Sequence, residues 1–129
     1  MIDSITSREA MKVMIVDDHA DSLISVGRLL RVLGYDVRAA RDGLQAITCA
    51  EAFHPDAALI DLSLPGLDGC GVARRLRELE ATRGTRLIAM TGWGTRESES
   101  LTREAGFHMH LVKPLTMNVL TDALSKGRV

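Results

Sequence analysis

The sequence has no excess of positive charge: 16 Lys/Arg stand against 17 Asp/Glu, a formal net charge of -1. Without an overall basic field, direct binding to nucleic acid or to an anionic membrane surface is not expected. Long apolar runs are missing too, since no stretch approaches the roughly 20 residues of a membrane helix. The opening MIDSITSREA carries neither the basic flank nor the apolar stretch of a signal peptide. A cytoplasmic protein is the expectation. Cysteine is scarce: Cys49 and Cys70 show no CxxC spacing and fall in patterns that read as helix, which argues against a disulfide framework. Internal repeats and low-complexity segments are lacking. What remains is ordinary globular composition, 46% hydrophobic and 26% charged over 129 residues, enough for one compact domain and too short for a second.

After a polar, aperiodic lead-in over residues 1–11, Lys12-Val13-Met14-Ile15-Val16 forms the short apolar run of a buried parallel strand and stops at Asp17-Asp18. Leu23, Val26, Leu30 and Leu33 then recur at helical spacing up to Gly34, a residue suited to ending a helix. The alternation repeats. Val37 to Ala40 predicts a strand, and residues 43–53 a helix with Leu44, Ile47 and Ala50 inward. Ala57 to Ile60 predicts a buried strand closing on Asp61. A turn-rich loop, Leu62 to Gly69, leads into a helix carrying Val72, Ala73, Leu76 and Leu79. Leu87 to Met90 predicts the fourth strand, ending at Thr91-Gly92. Residues 95–105 predict a helix stopped by Gly106, and His108 to Val112 a strand running into Lys113-Pro114. The final helix, from Met117 to about Lys126, is expected to pack through Val119, Leu120, Ala123 and Leu124. Strands and helices in strict alternation predict an α/β fold around one mostly parallel sheet, because parallel neighbours need helical crossovers.

In such a sheet the ligand site lies beyond the carboxyl ends of the strands. The polar residues there are Asp17 and Asp18 after the first strand, Asp61 after the third, Thr91 after the fourth and Lys113 after the fifth. Each has an ordinary structural role when taken singly: helix cap or turn for the acids, turn for Thr91, surface charge for Lys113. Together they describe a site. Crowded carboxylates repel, and a bound cation is the simplest way to keep them ionised at neutral pH. Oxygen ligands with room for water suit Mg²⁺ at Asp17, Asp18 and Asp61. Such a site suits phosphoryl transfer, with Asp61 as nucleophile, Thr91 as hydroxyl donor and Lys113 as opposing charge.

From residue 12 to about 126 the chain resembles the receiver domain of two-component response regulators. The resemblance rests on Val16-Asp17-Asp18, on Leu59-Ile60-Asp61-Leu62 followed by Leu64-Pro65-Gly66-Leu67-Asp68-Gly69, on Thr91-Gly92, and on Val112-Lys113-Pro114, in that order. It implies a doubly wound five-stranded sheet of flavodoxin-like order. It also implies that Asp61 accepts phosphate from a phosphohistidine, so that the partner is a histidine kinase or a histidine phosphotransfer domain. Mg²⁺ is implied to be bound by Asp18, Asp61 and the backbone carbonyl of Ser63, with Asp17 acting through water, and the Lys113-Pro114 peptide is implied to be cis.

In that family an aromatic residue on the fifth strand turns as the hydroxyl equivalent to Thr91 moves toward the phosphoryl group, and His110 holds that position here. The rival role for His110 is a half-buried strand histidine, and His108 with His110 lacks the third ligand of a metal site. Ser63 and Trp93 stand where the family tunes water access to the acyl phosphate. The resemblance looks closer to receivers of hybrid histidine kinases than to those fused to DNA-binding domains. The alternative function is a receiver-like protein-binding module that works without phosphorylation, whose usual mark, loss of an acid or the lysine, is absent. An aspartyl phosphatase is disfavoured because Asp61-Leu62-Ser63 has no second aspartate two residues on.

Overall fold

The computed structural model describes residues 11–92 and 96–125, apart from the side chains of residues 97 and 98. Trp93, the lead-in at 1–10 and the tail at 127–129 lie outside the described residues. The chain alternates β1 (Lys12–Val16), α1 (Ala20–Val32), β2 (Asp36–Ala40), α2 (Gly43–Phe53), β3 (Ala57–Asp61), α3 (Gly69–Glu78), β4 (Arg86–Thr91), α4 (Arg96–Ala105), β5 (Met109–Val112) and α5 (Met117–Ser125), with a short 3-10 turn at Glu80–Thr82. All strand pairs are parallel, in the order β2-β1-β3-β4-β5. The order reverses at β1, so the connections leaving the paired strands β1 and β3 run to opposite sides of the sheet and leave a crevice at their carboxyl ends.

Because side chains alternate across a strand, each central strand feeds two cores. Met14, Val16, Ala58, Ile60, Leu87 and Ala89 meet α2, α3 and α4 through Ala46, Ala50, Val72, Ala73, Leu76 and Ala105. Val13, Ile15, Leu59, Ile88 and Met90 meet α1 and α5 through Leu30, Leu120, Ala123 and Leu124. Every residue of β3 is buried, which is why its sequence is apolar without alternation up to Asp61. Gly34 follows α1 in the left-handed region at φ 97°, where Tyr35 N–H donates to the Leu30 carbonyl, so it stops the helix as its sequence position predicts.

Four expectations need correction. Leu44 is 72% exposed, because α2 buries Gly43, Ala46, Ala50 and Phe53 and Leu44 lies one step off that stripe. Val119 is 37% exposed for the same reason on α5, whose buried residues are Leu120, Ala123 and Leu124. Met11, read as lead-in, is buried, and its carbonyl accepts from Asp36 N–H. β5 starts at Met109 and not at His108.

Candidate functional site at the carboxyl ends of the strands

Each polar residue is delivered to one edge by the end of a strand whose register is fixed by burial. Val16 pairs with Ile60, so Asp17 and Asp61 leave adjacent strands side by side, and both are buried. Thr91, also buried, pairs with Val112, and Lys113 N–H donates to the Thr91 carbonyl at 2.7 Å. The next peptide, Lys113-Pro114, is cis. Lys113 reaches back across the crevice: Nζ donates to Asp61 Oδ2 at 2.7 Å and to Asp17 Oδ2 at 2.9 Å. Asp17, Asp61 and Lys113, each expected at a strand end, are thus joined by hydrogen bonds.

The remaining carboxylate oxygens differ in their partners. Asp17 Oδ1 accepts from His19 N–H at 3.0 Å, and Asp61 Oδ1 from Ser63 N–H at 2.8 Å. Asp18 Oδ1 is buried and accepts no hydrogen bond among the described residues, although His19 Nδ1 lies 3.2 Å away. Asp17, Asp18, His19 and Asp61 each offer a ligand atom, all within 4.8 Å of one another. His19 escapes a reading by strand ends, since a single histidine after a turn carries no pattern; its only signal is that it follows the acidic pair.

Electrostatics ties the group together. Burial pushes the Asp17 carboxyl up, yet the His19 N–H, the Lys113 ammonium and the His19 ring together outweigh it, and Asp17 sits below the ordinary carboxylate range. Burial pulls Lys113 down, but its hydrogen bonds to Asp61 and Asp17 and their charges more than reverse this and hold it above the usual lysine value. Three carboxyl groups face one ammonium, so acidic groups outnumber the basic one at the strand ends. Clustered carboxylate oxygens, an Asp18 oxygen without a hydrogen bond among the described residues and an excess of acidic over basic groups fit a divalent cation such as Mg²⁺.

The loop after Asp61 is pinned by α3. Asp68 caps that helix by accepting from Gly71 N–H at 2.8 Å, and a Cβ on Gly69 would stand 2.5 Å from the Asp61 carbonyl oxygen. Glycine is required there for the helix to start this close to the strand end.

A sequence profile of the response regulator receiver domain matches residues 13–125. The chain belongs to the response regulator receiver family. Over 127 residues it is 35% identical to the sensor protein EvgS of Escherichia coli, covering 95% of this chain and 10% of EvgS. It therefore spans about a tenth of that sensor's length. It is 30% identical to sporulation initiation phosphotransferase F of Bacillus subtilis over 115 residues, covering 89% of this chain and 91% of that protein. Among solved structures, the receiver domain of the sensor histidine kinase PA1611 of Pseudomonas aeruginosa superposes with a TM-score of 0.84 at 32% identity, covering 91% of this chain and 96% of the other. That receiver was solved with a magnesium ion coordinated in its active-site cleft. The receiver fold expected from the sequence is the fold of this chain, and receivers are signalling modules of two-component systems.

The two histidines of the last strand part company. His108 Nδ1 accepts from Leu87 N–H at 3.0 Å, and Arg77 Nη2 lies 3.0 Å from the same atom, so His108 belongs to a clasp at the far end of the sheet. His110 is half-buried opposite Ala89, and its Nε2 is buried with no hydrogen-bond partner among the described residues. Cys49 and Cys70 are free and partly buried, and burial pushes both thiols up. No helix of the described residues is long and apolar enough to cross a membrane.

Proposed function

We propose that this receiver is a phosphoacceptor in a histidine-to-aspartate phosphorelay, with Asp61 modified in a Mg²⁺-dependent step. The observation that carries this reading is Lys113, whose ammonium bridges Asp61 and Asp17 while Asp18 keeps a buried oxygen without a hydrogen bond. An Asp61 carboxylate oxygen attacks the phosphorus of a phosphohistidine. The O–P bond forms, the N–P bond breaks, and the donor imidazole keeps the electron pair and takes a proton from solvent. Lys113 then pairs with a phosphoryl oxygen, and the Thr91 hydroxyl, at the end of the neighbouring strand, donates to another. Asp18, Asp61 and the Ser63 carbonyl would hold Mg²⁺, with Asp17 helping through water, and the bound ion would neutralise phosphoryl oxygens.

His110 is the responding residue. Its buried Nε2 has no hydrogen-bond partner among the described residues, so that atom does not anchor the ring when Thr91 moves. The functional unit runs from residue 12 to about 126 and acts in the cytoplasm. It takes its phosphoryl group from a histidine kinase or a histidine phosphotransfer domain, catalyses only its own phosphorylation and dephosphorylation, and passes the signal to a protein partner. Incubation with acetyl phosphate and Mg²⁺ should add one phosphoryl group by intact mass, and EDTA should abolish the gain. Equal uptake with and without EDTA would remove the metal-dependent reading.

A further inference from the structure

His19 stands at the N-cap of α1, a position that favours Ser, Thr, Asp or Asn because their side chains can accept a backbone N–H. Its ring makes no such bond. Nδ1 instead faces the acidic pair, 3.3 Å from Asp17 Oδ1 and 3.2 Å from Asp18 Oδ1, although the side chain is 70% exposed. A proton on Nδ1 serves Asp17 alone, since Asp18 Oδ1 still accepts no hydrogen bond. One shared ion would serve all three atoms. Bonds of about 2.0–2.1 Å set neighbouring ligands about 3.0 Å apart in an octahedron and about 3.3 Å apart in a tetrahedron. The two contacts of Nδ1, at 3.3 and 3.2 Å, have that spacing, so the imidazole nitrogen lies at the distance of a neighbouring ligand from each of the two carboxylate oxygens.

We propose that His19 is a further ligand of this cation site, through Nδ1, and that it biases the site away from Mg²⁺ toward divalent first-row transition ions. Mg²⁺ prefers oxygen and gains little from an imidazole, whereas Co²⁺, Ni²⁺ and Zn²⁺ take imidazole nitrogen readily. The proposal rests on the reading of Asp17, Asp18 and Asp61 as a cation site. It means that the metal supply of the cell, as well as the phosphoryl donor, sets which ion sits beside Asp61.

The test compares the whole chain, His19→Ala and Asp18→Asn by calorimetric titration with Mg²⁺ and with Co²⁺. Co²⁺ is also followed by its visible absorption, and Mg²⁺ chase confirms that both ions share one site. Because the His19 ring makes no cap bond, the alanine variant keeps the helix start. Co²⁺ affinity should fall about tenfold or more in His19→Ala, with its absorption changed, while Mg²⁺ affinity moves less than about twofold. Equal changes for both ions, or none, with both ions lost in Asp18→Asn, would overturn the role of His19 and leave the cation site standing. Wild-type binding of both ions by Asp18→Asn would overturn the site itself and the proposal with it.

Discussion

At the residue scale, Asp18 is the most informative side chain. Its buried oxygen accepts no hydrogen bond and lies beside Asp17, so without a cation its charge opposes folding. Asp18→Asn should therefore melt no lower than wild type in EDTA while losing uptake of a phosphoryl group. A drop of several degrees would mark Asp18 as a structural residue. Lys113 has the opposite character, because removing its ammonium leaves two buried carboxylates facing each other. Lys113→Ala should lower the unfolding free energy by about 1–3 kcal/mol in EDTA, less than a fully buried pair because Lys113 is part exposed. A stability equal to wild type in chemical denaturation would contradict the bridging role. Asp17, Asp18, Asp61, Thr91 and Lys113 could be singled out in the sequence because each stands at the end of a short apolar run, Asp18 one residue further on. His19 was not, and neither was the exposure of Leu44, because one residue step turns a helix by about 100° and carries a leucine from the core side to solvent.

At the element scale, the site depends on how closely α3 approaches β3. The contacts of a Cβ at Gly69 would be backbone, the Asp61 carbonyl oxygen and the Leu62 Cα, which cannot swing aside like a flexible side chain. Gly69→Ala should cost about 1–3 kcal/mol in urea unfolding and slow phosphorylation by displacing Asp61. Normal stability with a normal rate would show that the helix start is slack. At the opposite end of the sheet, Arg77 on α3 donates to the Gly106 and Arg83 carbonyls and faces His108, whose Nδ1 accepts from Leu87 N–H ahead of β5. Burial, then the charges of Arg77 and Arg86, hold the His108 imidazole below the ordinary histidine value of 6.5. A histidine lowered in the folded state favours folding while neutral, so its contribution is present above 6.5 and fades as the pH falls below it. The urea midpoint should fall between about pH 7.5 and pH 5.5, and His108→Gln, which keeps an acceptor without titrating, should flatten that slope. An identical slope in both proteins would assign the pH dependence elsewhere. The clasp was invisible in the sequence because Arg77 and His108 are 31 positions apart and neither belongs to a pattern.

At the scale of the whole molecule, the order of strands and helices followed from alternating apolar runs and breaks. Both cores could be anticipated because parallel strands buried on two faces read as continuous hydrophobic stretches. Boundaries moved where a residue flanks a strand without joining it, as at His108, or packs under the sheet before the first strand, as at Met11. The sheet order, with its reversal at β1, gathers the acids and the lysine at one edge, so fold and site form one arrangement. The account stands on the claim that Asp61 is the residue phosphorylated. Treating the chain with acetyl phosphate and Mg²⁺, reducing the acyl phosphate with borohydride and mapping the peptides locates the modified carboxylate directly. Conversion to homoserine at position 61, and nowhere in Asp61→Asn, is the predicted result. Conversion at another carboxylate in the wild-type chain, with position 61 intact, would contradict the account.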